Sequence, residues 1–224
     1  MDGTGKLFTN FVDALPSDIE ARILSYPADR IQSHTQLLQL LEFSLPSTDP
    51  FVLVAESFSA PLAIEWASRS KFNLRGLILC AGFAASPIPG WKSHLCLLLS
   101  RVCFLIPPPE VVIRTFLVGT DAPSSLVAAV KGAIASVSPR VLAHRLRLTL
   151  TCDARPALQQ VQVPILFIQP TQDRLVSSSC LKAMLEVRPE ALVELVACPH
   201  LLLQSRARES AEIVANYARK FSPT

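Results

Sequence analysis

This 224-residue sequence lacks three things: blocks of like charge, closely spaced cysteine pairs and a long apolar run. Each absence removes a class of protein. Only 17% of residues are charged, and the 21 Lys and Arg are scattered to a net +3. A nucleic-acid partner leaves a basic stripe or block, so none is expected. With half its residues hydrophobic, the chain holds enough apolar material for a full core and is not disordered.

The six cysteines, Cys80, Cys96, Cys103, Cys152, Cys180 and Cys198, show no C-x-x-C spacing. They read as small buried hydrophobes of a reducing, cytoplasmic compartment. No Cys/His cluster has metal-ligand spacing, so neither metal nor cofactor is expected. The opening Met1-Asp2-Gly3-Thr4-Gly5 is polar and turn-like, which predicts no secretory leader. The most apolar window runs only from Leu95 to Ile106, is interrupted by Arg101 and is stopped by Pro107-Pro108-Pro109. A membrane span needs about 20 residues, so none is expected. The window reads as a core-facing helix in preference to a membrane-surface one.

What is present is an alternation of strand and helix patterns, with no internal repeat. Short apolar runs predict strands at Ile19 to Tyr26, Phe51 to Ala55, Leu74 to Cys80, Val163 to Gln169 and Ala191 to Val196. Helical spacing falls between them, at Ser33 to Phe43 with Ser33 as N-cap, Ala60 to Ser70, Cys180 to Val187 and Leu202 to Phe221. Strands apolar at every position are covered on both faces. The fold class is therefore α/β, a mostly parallel sheet with helices on both faces. From Phe83 to about Leu158 the alternation stops and four helices are expected: Trp91 to Ile106, Val111 to Leu117, Ser124 to Ser136 and Pro139 to Leu148. The expected organisation is a core of residues 1–82 and 159–224, with 83–158 as a helical cap over the carboxyl edge of the sheet.

In parallel sheets, chemistry gathers at the carboxyl ends of strands. Three polar residues stand just past three strands: Ser57 in A-E-S-F-S, Asp173 in Q-P-T-Q-D-R-L-V and His200 in A-C-P-H-L-L-L-Q. A serine hydroxyl is a poor nucleophile unless an imidazole takes its proton and a carboxylate holds that imidazole. A nucleophile on a sharp strand-to-helix turn needs small residues two before and two after it, and Ala55 and Ser59 are small. The simpler readings are a helix N-cap for Ser57, a turn residue for Asp173 and a helix cap for His200. His34, His94 and His144 lie in expected helices and read as surface or core residues. No role is assigned to Glu56.

These pieces together resemble the α/β-hydrolase superfamily, in particular its small, capped, esterase- or lipase-like members. The resemblance rests on D-G-T-G near the start, A-E-S-F-S-A-P-L-A at the turn, Q-D-R-L-V after the late strand and P-H-L-L-L-Q before the last helix. It covers nearly the whole chain, although the usual G-x-S-x-G has Ala55 and Ser59 in place of its glycines. It implies Ser57 as nucleophile, Asp173 as orienting acid and His200 as general base. The Phe58 N–H would be one oxyanion donor, and the turn at Met1 would supply the other.

The resemblance also implies a strand directly before that turn, lying between the Ile19 and Phe51 strands; here the sequence begins at the turn. Two readings follow. Either Met1 is an internal methionine of a longer chain, which is preferred, or the short form is real and the sheet closes by a shift or loses activity. The implied function is a serine hydrolase of carboxylic esters or thioesters acting through an acyl-enzyme. The alternatives are an acyltransferase on the same site and a non-catalytic binding protein of hydrolase fold. The apolar cap (Leu97, Leu98, Leu99, Phe104, Leu105, Phe116) suggests an apolar small-molecule acyl substrate.

Overall fold

The computed structural model describes residues 1–69, 73–88 and 90–221, with the side chains of 101–103 left out. Four parallel strands form one sheet in the order β1 (Phe51–Glu56), β2 (Leu74–Cys80), β3 (Ile165–Pro170) and β4 (Leu192–Val196). Successive strand side chains point to opposite faces, which explains the uninterrupted apolar runs. Leu77, Leu79, Ile165 and Phe167 enter one core, while Ile78, Cys80, Leu166 and Ile168 enter the other. The first core is closed by α2 (His34–Ser44), α3 (Ser59–Ala67), α8 (Arg155–Gln160) and α9 (Ser178–Val187). The second is closed by α1 (Thr9–Asp13), α10 (Leu202–Ser205) and α11 (Ala207–Arg219). Between β2 and β3 stand α4 (Trp91–Cys103), α5 (Glu110–Ile113), α6 (Ser124–Ala135) and α7 (Pro139–Thr151), followed by α8.

Local signals set several boundaries. Ser33 caps α2 in a reciprocal box with Gln36, satisfying two first-turn donors. The expected final helix is broken at Arg206 into α10 and α11. The expected end of α3 at Ser70 lies outside the described residues.

Two expectations about strands change. Residues Ile19 to Tyr26 do not form a strand. A strand is defined by its ladder, and here no neighbour offers one; Tyr26 N–H instead donates to Gly3 O at 2.7 Å. β1 is also less enclosed than its apolar run implies: only Leu53 and Ala55 are fully buried, because β1 is an edge strand. Phe51 N–H donates to Asn73 O and Ser57 N–H to Cys80 O, both on the β2 side. Strand N–H groups alternate direction, so those of Val52 and Val54 face the open edge. A cavity of about 540 Å³ runs along that edge, between β1 and the irregular segment holding Ile19, Ile23 and Leu24.

The Leu95 window is also oriented differently from expectation. α4 turns only part of its apolar surface inward: Ser93 and Ser100 are buried and Cys96 and Leu97 half-buried, while Trp91, Leu95, Leu98 and Leu99 are exposed. Among the described residues no single helix is long and apolar enough to cross a membrane. Only α6 and α7 taken together reach that length, and they are bent by 96° at their junction. Of the cysteines whose side chains are described, all are free, Cys80 and Cys198 buried and Cys96, Cys152 and Cys180 half-buried. Burial pushes the Cys152 and Cys198 thiols up to about 12. Among the described residues no group of His, Cys, Asp and Glu could hold a metal ion.

Candidate active site

β1 ends at Glu56, and the chain turns sharply into α3. Ser57 takes φ 54°, a left-handed conformation that a non-glycine residue adopts only where its surroundings hold it. The Ser57 N–H bond to Cys80 O ties this turn to the end of β2. The same crowding shows at Gly82, where a Cβ would lie 3.2 Å from that of Ala60. Small side chains are therefore required around the turn, as Ala55 and Ser59 provide.

The turn directs Ser57 Oγ to within 2.8 Å of His200 Nε2. His200 follows β4 and its side chain is 5% exposed. Its Nδ1 stands 2.7 Å from Asp173 Oδ2. Asp173, in the turn after β3, has its other oxygen fixed by the N–H groups of Leu175 (2.8 Å) and Val176 (2.9 Å). The carboxylate can only accept, so Nδ1 carries the proton and Nε2 is left to accept from the serine hydroxyl. The three side chains expected from the sequence thus form one hydrogen-bonded line. Phe58 directly precedes α3, so its N–H has no intrahelical acceptor.

The family model "Alpha/beta hydrolase family" matches residues 6–213. The chain belongs to the α/β hydrolase family. No curated protein matches it. Among solved structures, the enol-lactonase from Burkholderia xenovorans LB400 aligns with TM-score 0.80 and 16% identity, over 96% of this chain and 87% of its own. A hydrolase from Oleispira antarctica aligns with TM-score 0.78 and 13% identity, over 97% and 87%. A thermophilic esterase from Thermogutta terrifontis gives 0.78 and 15%, over 97% and 86%. At such identities the likeness is one of fold, and this chain shares the hydrolase fold across nearly all its length.

Around the line of three lie residues to which the sequence reading gave no role. In this α/β hydrolase, half-buried Glu56 accepts from Leu203 N–H at 3.3 Å and Gln204 Nε2 at 2.9 Å. It fastens the end of β1 to α10, just beyond His200. Burial raises its pKa above the ordinary carboxylate value, and the Gln204 bond and nearby His200 only partly offset this. Gln204 Oε1 is buried without a partner among the described residues. A lone acid inside an apolar strand was the available signal for Glu56.

Arg145 on α7 is the second such residue. It is 2% exposed and spends its donors on three main-chain carbonyls: Met1 O at 3.0 Å, Asp2 O, and Pro27 O at 2.8 Å. Its guanidinium also lies over the Tyr26 ring, 5.6 Å from the centroid. A Cβ on Gly3 would fall 2.7 Å from Tyr26 and 2.9 Å from Arg145, so the turn is wedged between them. Tyr26 packs edge-on against Phe58 and donates from its hydroxyl to Ser59 Oγ at 3.3 Å. α7 is thereby linked through Arg145 and Tyr26 to the turn that carries Ser57. Met1, the expected second oxyanion residue, lies in this cluster, its carbonyl oxygen accepting from Arg145. No local sequence pattern pairs position 145 with positions 1 to 3.

Two of the remaining histidines are held elsewhere. His34 pairs with Glu65 at 3.0 Å, and His94 stands 3.3 Å from Gly90 O within its own helix turn. Of the cap residues taken to suggest an apolar substrate, Leu98 and Leu99 are exposed, and Leu105 lines a cavity of about 500 Å³ with Ile31 and Val141.

Proposed function

We propose that the chain is a serine hydrolase that cleaves a carboxylic ester or thioester. The observation that carries this is the unbroken line Ser57–His200–Asp173, at 2.8 and 2.7 Å. Ser57 Oγ attacks the acyl carbon as its proton passes to His200 Nε2. Asp173 keeps the proton on Nδ1 and offsets the charge that forms on the ring. The carbonyl oxygen takes up the electron pair and is stabilised by the Phe58 N–H, with an N–H of the turn at Met1 as the candidate second donor; such a donor contributes about 3 kcal/mol. His200 returns the proton to the departing alcohol or thiol, leaving Ser57 acylated. Water, deprotonated by His200, then attacks the acyl carbon, releases the acid and restores the serine. No step calls for a metal or cofactor. In this reading, residues 83–158 cap the site and the substrate is a small acyl compound with an apolar portion.

The test is a fluorophosphonate probe together with p-nitrophenyl esters of graded chain length. The expected result is covalent labelling at Ser57, lost in His200→Ala, with ester turnover that depends on acyl length. A folded protein that neither reacts with the probe nor turns over any ester would reduce the chain to a non-catalytic member of the family.

A further inference from the structure

The inserted region 83–158 differs from the rest of the chain in two ways. The first is the large apolar surface that α4 leaves exposed. Its inward side carries Ser93 and Ser100, which are 7% and 0% exposed, beside half-buried Cys96 and Leu97. Its outward side carries Trp91 (71% exposed) and Leu98 (76%), and the chain beyond it continues with Leu105, Ile106 (75%) and Val111, all exposed. An ordinary surface helix has the reverse arrangement, and apolar residues gathered over one stretch mark an interaction site. The second difference is charge. Residues 83–158 hold eight Lys and Arg against three Asp and Glu, a net +5; the remaining residues hold thirteen against fifteen, a net −2. Three of the basic residues are occupied, Arg145 by carbonyls, Arg114 by Glu110 and Arg155 by Asp153. Lys92, Lys131, Arg140 and Arg147 are exposed.

We propose that the outward face of α4, continued through Leu105 and Ile106, docks on the surface of an anionic phospholipid bilayer. The shape of the surface fits that occupant. α4 has 13 residues, about 20 Å at 1.5 Å per residue, too short to span a bilayer but long enough to lie in its interface. Trp91 stands at its head, and an indole favours the headgroup level. The surplus positive charge falls on the region that carries the apolar face, which matches a negative lipid surface and not an uncharged one. The proposal is independent of the chemistry at Ser57, and lipid binding is read without turnover.

Trp91 supplies the probe, since the only other tryptophan, Trp66, is 3% exposed in the core. The 224-residue protein is mixed with vesicles of phosphatidylcholine alone, or with phosphatidylglycerol added, at low and high salt. The expected result is co-sedimentation with the anionic vesicles and a blue shift of tryptophan emission that is absent in Trp91→Phe. Neutral vesicles or high salt should weaken binding by about tenfold or more. Leu98→Asp combined with Leu99→Asp should abolish binding while leaving the protein folded, because both side chains are exposed. Equal binding by the double variant overturns the proposal, as does no binding to either vesicle type. A vesicle-free dimer that buries Trp91 also overturns it, and assigns the face to a second copy of the chain.

Discussion

Ser57 Oγ and His200 Nε2 stand 2.8 Å apart although 143 residues separate them in the chain. Both lie on loops that leave the carboxyl ends of parallel strands, and Glu56, next to Ser57, grips α10 just beyond His200. The separation is thus set by two attachments: the hydrogen bond itself and the carboxylate beside it.

The orientation of His200 depends on Asp173 accepting from Nδ1. Asp173→Asn leaves the shape unchanged but favours the wrong tautomer. Reaction of Ser57 with a fluorophosphonate should then slow by about ten-thousandfold, with no change in far-UV circular dichroism. Wild-type reactivity in this variant would remove Asp173 from the mechanism.

Glu56 makes stability depend on pH with an unusual sign. Its folded-state pKa is raised by burial, so the native state holds this proton more tightly than the unfolded chain does. The ionised carboxylate therefore costs stability above its folded pKa, and the cost disappears below the unfolded value. Glu56→Gln keeps an acceptor for Leu203 N–H, and its new amide can donate to the orphaned Gln204 Oε1 once that amide flips. The variant should melt higher than wild type at pH 8, and the gap should close as the pH falls through the carboxylate range. Parallel melting curves of the two proteins across pH are the measurement.

Arg145→Met leaves three carbonyls without their donor. Charged hydrogen bonds of this kind are worth about 1.5–3 kcal/mol each. Allowing for relaxation and water entry, a loss of about 3 kcal/mol or more in urea unfolding is expected. Tyr26→Phe removes one 3.3 Å bond to Ser59 and should cost under about 1 kcal/mol. A loss of similar size in both variants would show that the clamp on residues 1 to 3 is not the stabilising element.

The open edge of β1 has a signature in hydrogen exchange. Leu53 and Ala55 direct their N–H groups toward β2, while Val52 and Val54 direct theirs toward the cavity. Native-state exchange should be slow at the first pair and faster by several powers of ten at the second. Equal protection of all four amides would mean that the edge is paired in solution.

How much of this protein was legible in its sequence depends on the range of the force involved. Strand runs, the Ser33 N-cap and the turn at Ser57 are local: they follow from side-chain alternation, one hydroxyl near the first-turn N–H groups, and the steric need for small neighbours. Parallel strands then carry such local features to a common rim, which is why Ser57, Asp173 and His200 could be named from spacing. Ile19 to Tyr26 has the apolar composition of a strand and is not one, because a ladder needs a neighbour and no segment supplies its own. α4 shows that a helix sequence leaves open which of its residues turn inward; packing on α7, whose Leu150 carbonyl takes the Ser93 hydroxyl, made that choice. Arg145 was unreadable for the same reason, since a buried charge is placed by the partners that satisfy it, whereas Glu56 left a local trace as a lone acid closing an apolar run. Sequence by itself determined the elements and the chemistry available at their ends. Tertiary structure alone decided which charged groups went inside, which apolar face stayed out and which strand edge was left open, because each of those outcomes is a contact between segments distant in the chain.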